Sequence, residues 1–258
     1  MMSIVTDFSG IEKVVWDFDN VHWKFKCIPG RDLETICDQE KAKIAVEIFP
    51  CLDFDQAVRM SQAGYRKYLD SFKGFLDLAQ KTGVSEEELV EALFSRYHRN
   101  LYKRLKDEYP QIFAPSLATI TAFQRLNGQV EHVILTHACA DNFVWPFTQE
   151  LKIAHYINQV IDYRATGFTL KGAGPYAINM AIGNTDPSKV VFAEDTIKHL
   201  QVAKEAFPEI KTVLVDEEIG FIPDGVDLVI SSPEELLNKL SCVSAPQYKV
   251  ATPFAPSL

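Results

Sequence analysis

The sequence predicts an α/β fold, with a doubly wound, Rossmann-like parallel sheet as its core and an α-helical subdomain inserted into that core. Short apolar runs alternate with stretches of helical periodicity, which is typical of βαβ units. The interval between the first two runs is much too long for a single crossover helix and shows almost no strand pattern. The chain has 258 residues, of which 47% are hydrophobic, and it can therefore bury a core of this kind.

The predicted strands are six apolar runs. The first, residues 13–16, is rich in valine and stops at a group of aspartates. Continuous apolar runs of this length are typical of parallel strands buried on both faces. The other runs are residues 132–135, 159–161, 190–193, 212–215 and 228–230.

The inserted subdomain is predicted from the helical periodicity of residues 31–126. Within it, Ser85 and Glu88 have the spacing of a capping box that opens an amphipathic helix. The apolar positions of that helix include Leu89, Leu93, Tyr97 and Leu101. We therefore predict a core of residues 1–24 and 127–242, a helical cap of residues 25–126, and a proline-containing C-terminal tail of residues 243–258, on the surface or disordered.

Composition excludes several classes of function. A net charge of -9 and a pI near 5.2 leave no basic surplus for a nucleic-acid polymer. The cysteines are odd in number, scattered and free of any CxxC pair, so neither a disulfide framework nor a zinc site is indicated; they are Cys27, Cys37, Cys51, Cys139 and Cys242. The N-terminus does not resemble a signal peptide, and no apolar run is long enough to span a membrane. We expect a cytoplasmic protein, and its oligomeric state is not predicted.

Polar residues collect at the ends of the predicted strands, where open α/β sheets bind ligands. Asp17 and Asp19 follow the first strand, and Thr136 and His137 follow the second. Lys171 precedes a predicted helix, and the fourth strand ends in Glu194-Asp195.

These four groups, in this order, resemble the four motifs of the haloacid dehalogenase-like (HAD) hydrolases. VVWDFDNV is similar to the first motif, ILTHA to the second, Lys171 in KGAGPYAINMA to the third, and VVFAEDT to the fourth. The resemblance covers nearly the whole chain. It implies a phosphohydrolase with a helical cap.

The first motif also has a physical interpretation of its own. A carboxylate nucleophile at Asp17 would divide phosphoester hydrolysis into two displacements through an aspartyl phosphate. Asp19, two residues later, could protonate the leaving oxygen and then deprotonate the attacking water. Lys171 would neutralise the phosphoryl oxygens and restrain Asp17, while Thr136 and the amides after it would hydrogen-bond the transferring group. His137 could contact the phosphate or substrate, or have a structural role.

Clustered carboxylates repel an anionic substrate, so the site needs a cation, and hard oxygen donors favour Mg²⁺. Asp17 and Glu194 are the expected side-chain ligands. The resemblance implies that the backbone carbonyl of Asp19 completes the protein ligands and that Asp195 holds a metal-bound water.

Asp19 also distinguishes branches of the superfamily. By family resemblance, dehalogenases lack an acid two residues after the nucleophile, whereas phosphatases and phosphomutases keep it. The presence of Asp19 therefore favours phosphoryl chemistry on a small phosphorylated metabolite, with hydrolysis preferred over mutase activity. A catalytically silent protein that binds a phosphorylated ligand is the alternative from another class.

Residues 65–98 resemble the corresponding part of pyrimidine 5′-nucleotidase-like members, which implies a nucleoside 5′-monophosphate as one candidate substrate. Other positions depart from the common family pattern. Val21 stands where threonine is commoner, Gly172 where proline is often found, Glu194 where the family often has aspartate, and His199 where the family often has asparagine.

Two sets of cap residues have alternative interpretations. The aromatic set could stack on a nucleobase, but its helical spacing favours the core of the cap; it comprises Phe25, Tyr65, Tyr68, Phe72 and Phe75. The basic set could meet an anionic substrate, but a solvated helix face is favoured; it comprises Lys103, Arg104 and Lys106. Near the first motif, we expect Trp16 in the core and Trp23 at the cap entrance.

Overall fold

The computed structural model describes residues 7–23, 33–68 and 70–244. In these residues, six parallel strands form one sheet in the order β3-β2-β1-β4-β5-β6. The strands are β1 (Lys13–Trp16), β2 (Glu131–Leu135), β3 (Gln159–Ile161), β4 (Val190–Glu194), β5 (Lys211–Val215) and β6 (Leu228–Ile230). The predicted doubly wound parallel sheet is confirmed, and each predicted strand is observed to within one residue at either end.

β1 lies at the centre of the sheet because its side chains are apolar on both faces. Val14 and Trp16 pack on one face with Phe123, whereas Val15 packs on the other with Phe192, and all are fully buried. This alternation follows from the two-residue period of a strand. Trp16 is in the core, as predicted, and its indole N–H donates to Nδ1 of His132 at 3.2 Å.

Helices cover both faces of the sheet. The face that contains Val15 is covered by α8 (Tyr176–Ile182) and α9 (Ile197–Ala206). The face that contains Trp16 is covered by α6 (Leu117–Leu126), α7 (Trp145–Glu150) and α10 (Pro233–Ser244). The two layers exclude water from the strands and leave the strand ends as the place where polar side chains can meet a ligand.

The inserted helices are α1 (Leu33–Ile48), α2 (Phe54–Tyr68), α3 (Lys73–Thr82), α4 (Glu86–Val90) and α5 (Tyr97–Glu108), with a π-helical segment (Glu91–Arg96) between the last two. The Ser85 hydroxyl accepts from the backbone N–H of Glu88 at 3.1 Å, as the predicted cap requires. All four predicted apolar positions of this helical run are buried: Leu89, Leu93, Tyr97 and Leu101.

The last helix of the predicted cap range, α6, lies against the core and contacts α10. Its Phe123 ring packs beside Trp16, with 6.1 Å between the ring centroids. The exact boundary between cap and core therefore stays a prediction. Of the predicted tail, residues 245–258 lie outside the described residues.

The cysteines of the described residues are free thiols, and they are Cys37, Cys51, Cys139 and Cys242. Cys27 lies outside the described part of the chain. In residues 7–23, 33–68 and 70–244, we find no helix whose length and hydropathy would let it cross a bilayer.

Candidate active site

Asp17 and Glu194 lie side by side at the carboxyl ends of neighbouring strands. β1 and β4 pair with Trp16 opposite Ala193, and the backbone N–H of Asp17 donates to the Ala193 carbonyl at 2.8 Å. Both side chains are buried, at 5% exposure for Asp17 and 1% for Glu194. The register of the sheet thus brings together two acids that are far apart in sequence.

Lys171 is the counter-ion of both acids. Its ammonium donates to Oδ1 of Asp17 at 2.5 Å and to Oε2 of Glu194 at 2.7 Å, and the Leu135 carbonyl lies 3.4 Å away. Burial opposes the charge on this lysine, but the two carboxylates outweigh burial and raise its pKa. Lys171 is therefore cationic at neutral pH and contacts Asp17, and its predicted role toward a phosphoryl group stays a prediction.

Asp19 is positioned by a turn that begins directly after Asp17. Asn20 adopts a left-handed conformation with φ of 57°, which asparagine tolerates better than most residues. Four residues after Asp19, the indole N–H of Trp23 donates to its Oδ1 at 3.2 Å. Trp23 is buried at 4% exposure and positions Asp19. The prediction that it lies at the cap entrance is wrong. Burial, together with repulsion from Asp17, raises the pKa of Asp19 to about 7.

Three carboxylates of the cluster could hold a metal ion. One oxygen each from Asp17, Glu194 and Asp195 lies within 4.8 Å of the others. Asp195 is oriented by the Asn20 amide, which donates to its Oδ2 at 2.8 Å. The structure thus brings together three of the predicted metal-binding residues, and the metal-binding roles of Asp17, Asp19, Glu194 and Asp195 stay predictions.

The chemistry of this donor set fits a divalent cation. Burial and repulsion from Glu194 raise the pKa of Asp17 well above its ordinary value, and burial raises the pKa of Glu194 to about 7. Lys171 alone does not offset these effects, because one positive charge faces several acids. A hard cation bound by the carboxylate oxygens would stabilise their ionised forms, and Mg²⁺ prefers such ligands.

No family model matches the sequence, and no curated protein matches it significantly. Solved structures do match the fold. A HAD phosphatase from Thermococcus onnurineus aligns with a TM-score of 0.57 at 13% identity, over 89% of this chain and 98% of the other. This chain has the haloacid dehalogenase-like fold.

Other structures with this fold carry out different chemistry. A β-phosphoglucomutase from Clostridium difficile aligns with a TM-score of 0.54 at 18% identity, over 88% of this chain and 93% of the other. A dehalogenase with an intermediate complex aligns with a TM-score of 0.51 at 13% identity, over 90% of this chain and 98% of the other. The haloacid dehalogenase-like fold therefore does not select the reaction, which has to be argued from the residues of the site.

The second motif lies beside the carboxylate cluster. Thr136 is buried at 1% exposure, and its Oγ1 accepts from the backbone N–H of Ala138 at 3.0 Å. His137 and Ala138 line the cavity above the site. Nε2 of His137 accepts from the backbone N–H of Lys171 at 3.2 Å, which ties the second motif to the third. The substrate contacts of Thr136 and His137 stay predictions.

Two departures from the family pattern, Gly172 and His199, lie in contact. A Cβ atom at Gly172 would lie 2.9 Å from Cδ2 of His199, closer than a side chain allows. Nδ1 of His199 lies 3.2 Å from Oε2 of Glu194. Burial lowers the pKa of His199 to about 4, so its ring is neutral at neutral pH. Glycine at position 172 leaves room for this histidine, a pairing that the sequence pattern did not reveal.

A cavity of about 870 Å³ lies between the strand ends and the cap, within the range of small-molecule sites. Its walls come from both parts of the haloacid dehalogenase-like fold, and they include Asp17, Asp19 and Lys171 from the core and Lys41, Tyr97 and Asp70 from the cap.

Hydrogen bonds between core and cap lie beside this cavity. The Tyr163 hydroxyl, two residues after β3, donates to Oδ2 of Asp70 in the cap. The next residue, Arg164, donates to Oγ of Ser95 in the π-helical segment at 2.6 Å. These contacts join the predicted cap to the core beside the carboxylate cluster, and the sequence alone did not identify them.

The predicted aromatic set divides into two groups. Tyr65, Tyr68 and Phe72 line the cavity, and of these Tyr65 is half exposed and Phe72 is buried. Phe75 is fully buried in the hydrophobic core, and Phe25 lies outside the described residues. The structure therefore permits aromatic stacking on a substrate from the first group only.

The predicted basic set lies outside the cavity wall formed by the described residues. Arg104 pairs with Glu40 at 2.7 Å, and Lys106 pairs with Glu150 at 2.5 Å. Lys103 is exposed. A helix face, not a substrate contact, agrees with these positions, but Arg104 is mostly buried at 15% exposure and is not solvated as predicted.

Proposed function

We propose that this protein is a Mg²⁺-dependent phosphohydrolase that cleaves small phosphomonoesters through a phosphorylated Asp17. The observation that carries this proposal is the pair formed by Asp17 and Asp19. Asp17 is fixed by Lys171 at 2.5 Å, and Asp19 is a second acid on the same cavity wall, bonded by Trp23 at 3.2 Å. A dehalogenase has no need of that second acid, since its leaving halide takes no proton.

In the first step, a carboxylate oxygen of Asp17 attacks phosphorus, and the bond between phosphorus and the leaving oxygen breaks. Asp19, in its acid form, gives its proton to that oxygen, so that a neutral alcohol leaves. Because the pKa of Asp19 is raised to about 7, its acid and base forms are both populated at neutral pH. Lys171 offsets negative charge on the phosphoryl oxygens.

In the second step, Asp19 takes a proton from water as the water oxygen attacks phosphorus. The bond between phosphorus and the Asp17 oxygen breaks, which releases inorganic phosphate and restores the Asp17 carboxylate. The proton taken from water restores the acid form of Asp19, and the cycle is complete. The single residue Asp19 thus serves as acid in one step and as base in the next.

Asp17, Glu194 and Asp195 would hold the metal ion. When bound, Mg²⁺ supplies positive charge that favours an ionised Asp17 and offsets charge on the phosphoryl group. Asp17, Glu194 and Lys171 are buried, so charges at this site interact strongly.

A small phosphorylated metabolite fits the cavity volume of about 870 Å³. Nucleoside 5′-monophosphates are one class to test, because Tyr65, Tyr68 and Phe72 offer aromatic faces on the cavity wall. We place the enzyme in the cytoplasm as part of this proposal, since free thiols such as Cys37 and Cys51 suit a reducing compartment.

Phosphate release from an aryl phosphate, measured with and without Mg²⁺, tests this function. We expect metal-dependent turnover in the wild type and loss of at least about a thousandfold in Asp17→Asn, as for other catalytic nucleophiles. Asp107→Asn is the matched control, because Asp107 is exposed on α5. Turnover that survives in Asp17→Asn would contradict the mechanism.

Two alternatives remain distinguishable by their products. A phosphosugar mutase shares the phospho-Asp17 step but passes the phosphoryl group to a sugar, so it gives an isomerised sugar phosphate and needs a bisphosphate activator. A catalytically silent binding protein would bind phosphate esters and release no phosphate. The same assay, with product analysis, separates all three.

A further inference from the structure

Lys41 is a cation on the cap side of the cavity, opposite the carboxylate cluster. It lies on α1 and lines the cavity, and it is partly buried. Its ammonium donates to Oγ of Ser71 and lies 4.7 Å from the ring centroid of Tyr97. Both partners are uncharged, so they orient the ammonium without neutralising it.

The carboxylates near Lys41 are engaged elsewhere. Oδ1 of Asp38 accepts from the Ser61 hydroxyl at 2.6 Å, and Asp70 accepts from the hydroxyl of Tyr163. Across residues 7–23, 33–68 and 70–244, no carboxylate oxygen lies within the 4.0 Å ion-pair distance of the Lys41 ammonium. A partly buried cation without a counter-ion attracts an anion into the cavity.

The other cations of the cavity wall differ from Lys41. Arg66, Lys67 and Lys198 are exposed, so water solvates their charges. Lys171 is already paired with the two acids of the catalytic cluster. Lys41 is therefore the cavity cation, among the described residues, that combines partial burial with the lack of an ionic partner.

The position of Lys41 relates it to the leaving group. Lys41, its neighbour Tyr97 and Asp19 all line the same cavity, and the Lys41 ammonium lies over the Tyr97 ring. Since Asp19 protonates the leaving oxygen in the proposed reaction, the leaving group extends from Asp19 into the cavity whose wall Tyr97 and Lys41 help to form.

We propose that Lys41 binds a second anionic group, a carboxylate or a phosphate, carried by the leaving group of the substrate. This inference rests on the proposed phosphohydrolase function and narrows its substrate class. Preferred substrates would be phosphomonoesters with two anionic ends, one bound at Asp17 and the other at Lys41. Nucleoside monophosphates, whose leaving nucleoside is uncharged, would not use this contact.

The test compares alkyl phosphates of increasing chain length with ω-carboxyalkyl phosphates and alkanediol bisphosphates of the same lengths. The chain-length series allows the charged end to reach Lys41 whatever the spacing. We measure kcat/KM for wild type, Lys41→Met, Lys41→Arg and Lys43→Met. Lys43 is a matched control, because it lies on the same helix and its exposed side chain pairs with Glu40.

We expect Lys41→Met to lower kcat/KM for the charged esters by about 10- to 100-fold, the usual effect of a charge-assisted hydrogen bond. Turnover of the uncharged alkyl phosphates should change by less than about twofold. Lys41→Arg should retain most of the preference, and Lys43→Met all of it. The carboxylate and bisphosphate arms show which anion Lys41 prefers.

An equal loss for charged and uncharged esters in Lys41→Met would overturn the proposal and assign Lys41 a structural role. The absence of any preference for charged esters in the wild type would overturn it as well. If no ester is turned over, the phosphohydrolase function itself fails. In that case, calorimetric binding of the same esters to wild type and Lys41→Met still decides whether Lys41 binds the anion.

Discussion

The ammonium of Lys171 lies 2.5 Å from Oδ1 of Asp17 and bridges this residue to Glu194. The contact buries one positive charge between acids whose pKa values are raised, that of Glu194 to about 7. An acid whose folded-state pKa is raised stabilises the fold below its unfolded pKa and loses that contribution as pH rises through the folded value. The folded protein therefore depends on Lys171 most above pH 7.

Lys171→Met is accordingly expected to lower the free energy of unfolding by about 3–5 kcal/mol at pH 8, the usual cost of leaving a buried charge unpaired. At pH 5 the acids take up protons, so the loss should be less than half as large. Urea unfolding without metal at the two pH values measures both. Lys189→Met, which breaks the exposed pair with Glu12, should cost no more than about 1 kcal/mol at either pH. A loss for Lys171→Met that is equal at both pH values would contradict this account.

Magnesium is expected to stabilise the wild type. At a concentration about 100 times its Kd, a ligand adds about 2.7 kcal/mol, which corresponds to a rise in Tm of roughly 5–10 °C for a chain of this size. Differential scanning fluorimetry should show this rise in the wild type and in Asp107→Asn. Glu194→Gln should lose most of it, because Glu194 is one of the three clustered acids. An undiminished rise in Glu194→Gln would place the metal elsewhere.

The contact between Gly172 and His199 predicts a double-mutant effect. Gly172→Ala alone should lower both stability and activity, because its Cβ atom would meet the His199 ring at 2.9 Å. In a His199→Ala background, where the ring is absent, the same substitution should cost less than about 0.5 kcal/mol. The free energies of unfolding of the four proteins measure the coupling. If the changes in the free energy of unfolding caused by the two substitutions simply add, the contact between Gly172 and His199 does not affect stability.

The hydrogen bond from Tyr163 to Asp70 predicts the behaviour of the cap. Tyr163→Phe removes the donor and leaves Asp70 with one partner fewer in a buried position. This loss should weaken the interaction between cap and core by about 1–3 kcal/mol. We expect KM to rise more than kcat falls, and the cap helices to become more sensitive to limited proteolysis. Tyr176→Phe, at an exposed site on α8, should change neither property. An unchanged KM in Tyr163→Phe would show that this hydrogen bond does not contribute to substrate binding.

Local patterns predicted the sheet and the acids that meet at its edge. The six apolar runs became the six observed strands because each is long enough to pair and apolar enough to be buried on the side that faces a helix. Asp17 and Glu194 were predictable because they directly follow such runs, and parallel strands end at the same edge of a sheet.

The remaining contacts depend on tertiary packing, which local patterns do not encode. Tyr163 and Asp70 belong to different parts of the fold, and no period or motif relates them. The indole of Trp23 reaches Asp19 only because the left-handed turn at Asn20 folds the chain back. The sequence does not distinguish Lys41 from other lysines on predicted helices, because its position at the cavity wall depends on how α1 packs.

The most direct test of the central claim is detection of the phosphoryl group on Asp17. Asp19→Asn lacks the base of the second step, while an aryl phosphate has a leaving group that departs without an acid, so the phosphorylated protein should accumulate. Acid quenching after mixing Asp19→Asn with an aryl phosphate and Mg²⁺, followed by peptide mass spectrometry, should find about one phosphoryl group per chain, located on Asp17. Phosphate release by the wild type with no phosphorylated aspartate in Asp19→Asn, or with the phosphoryl group on another residue, would contradict the mechanism.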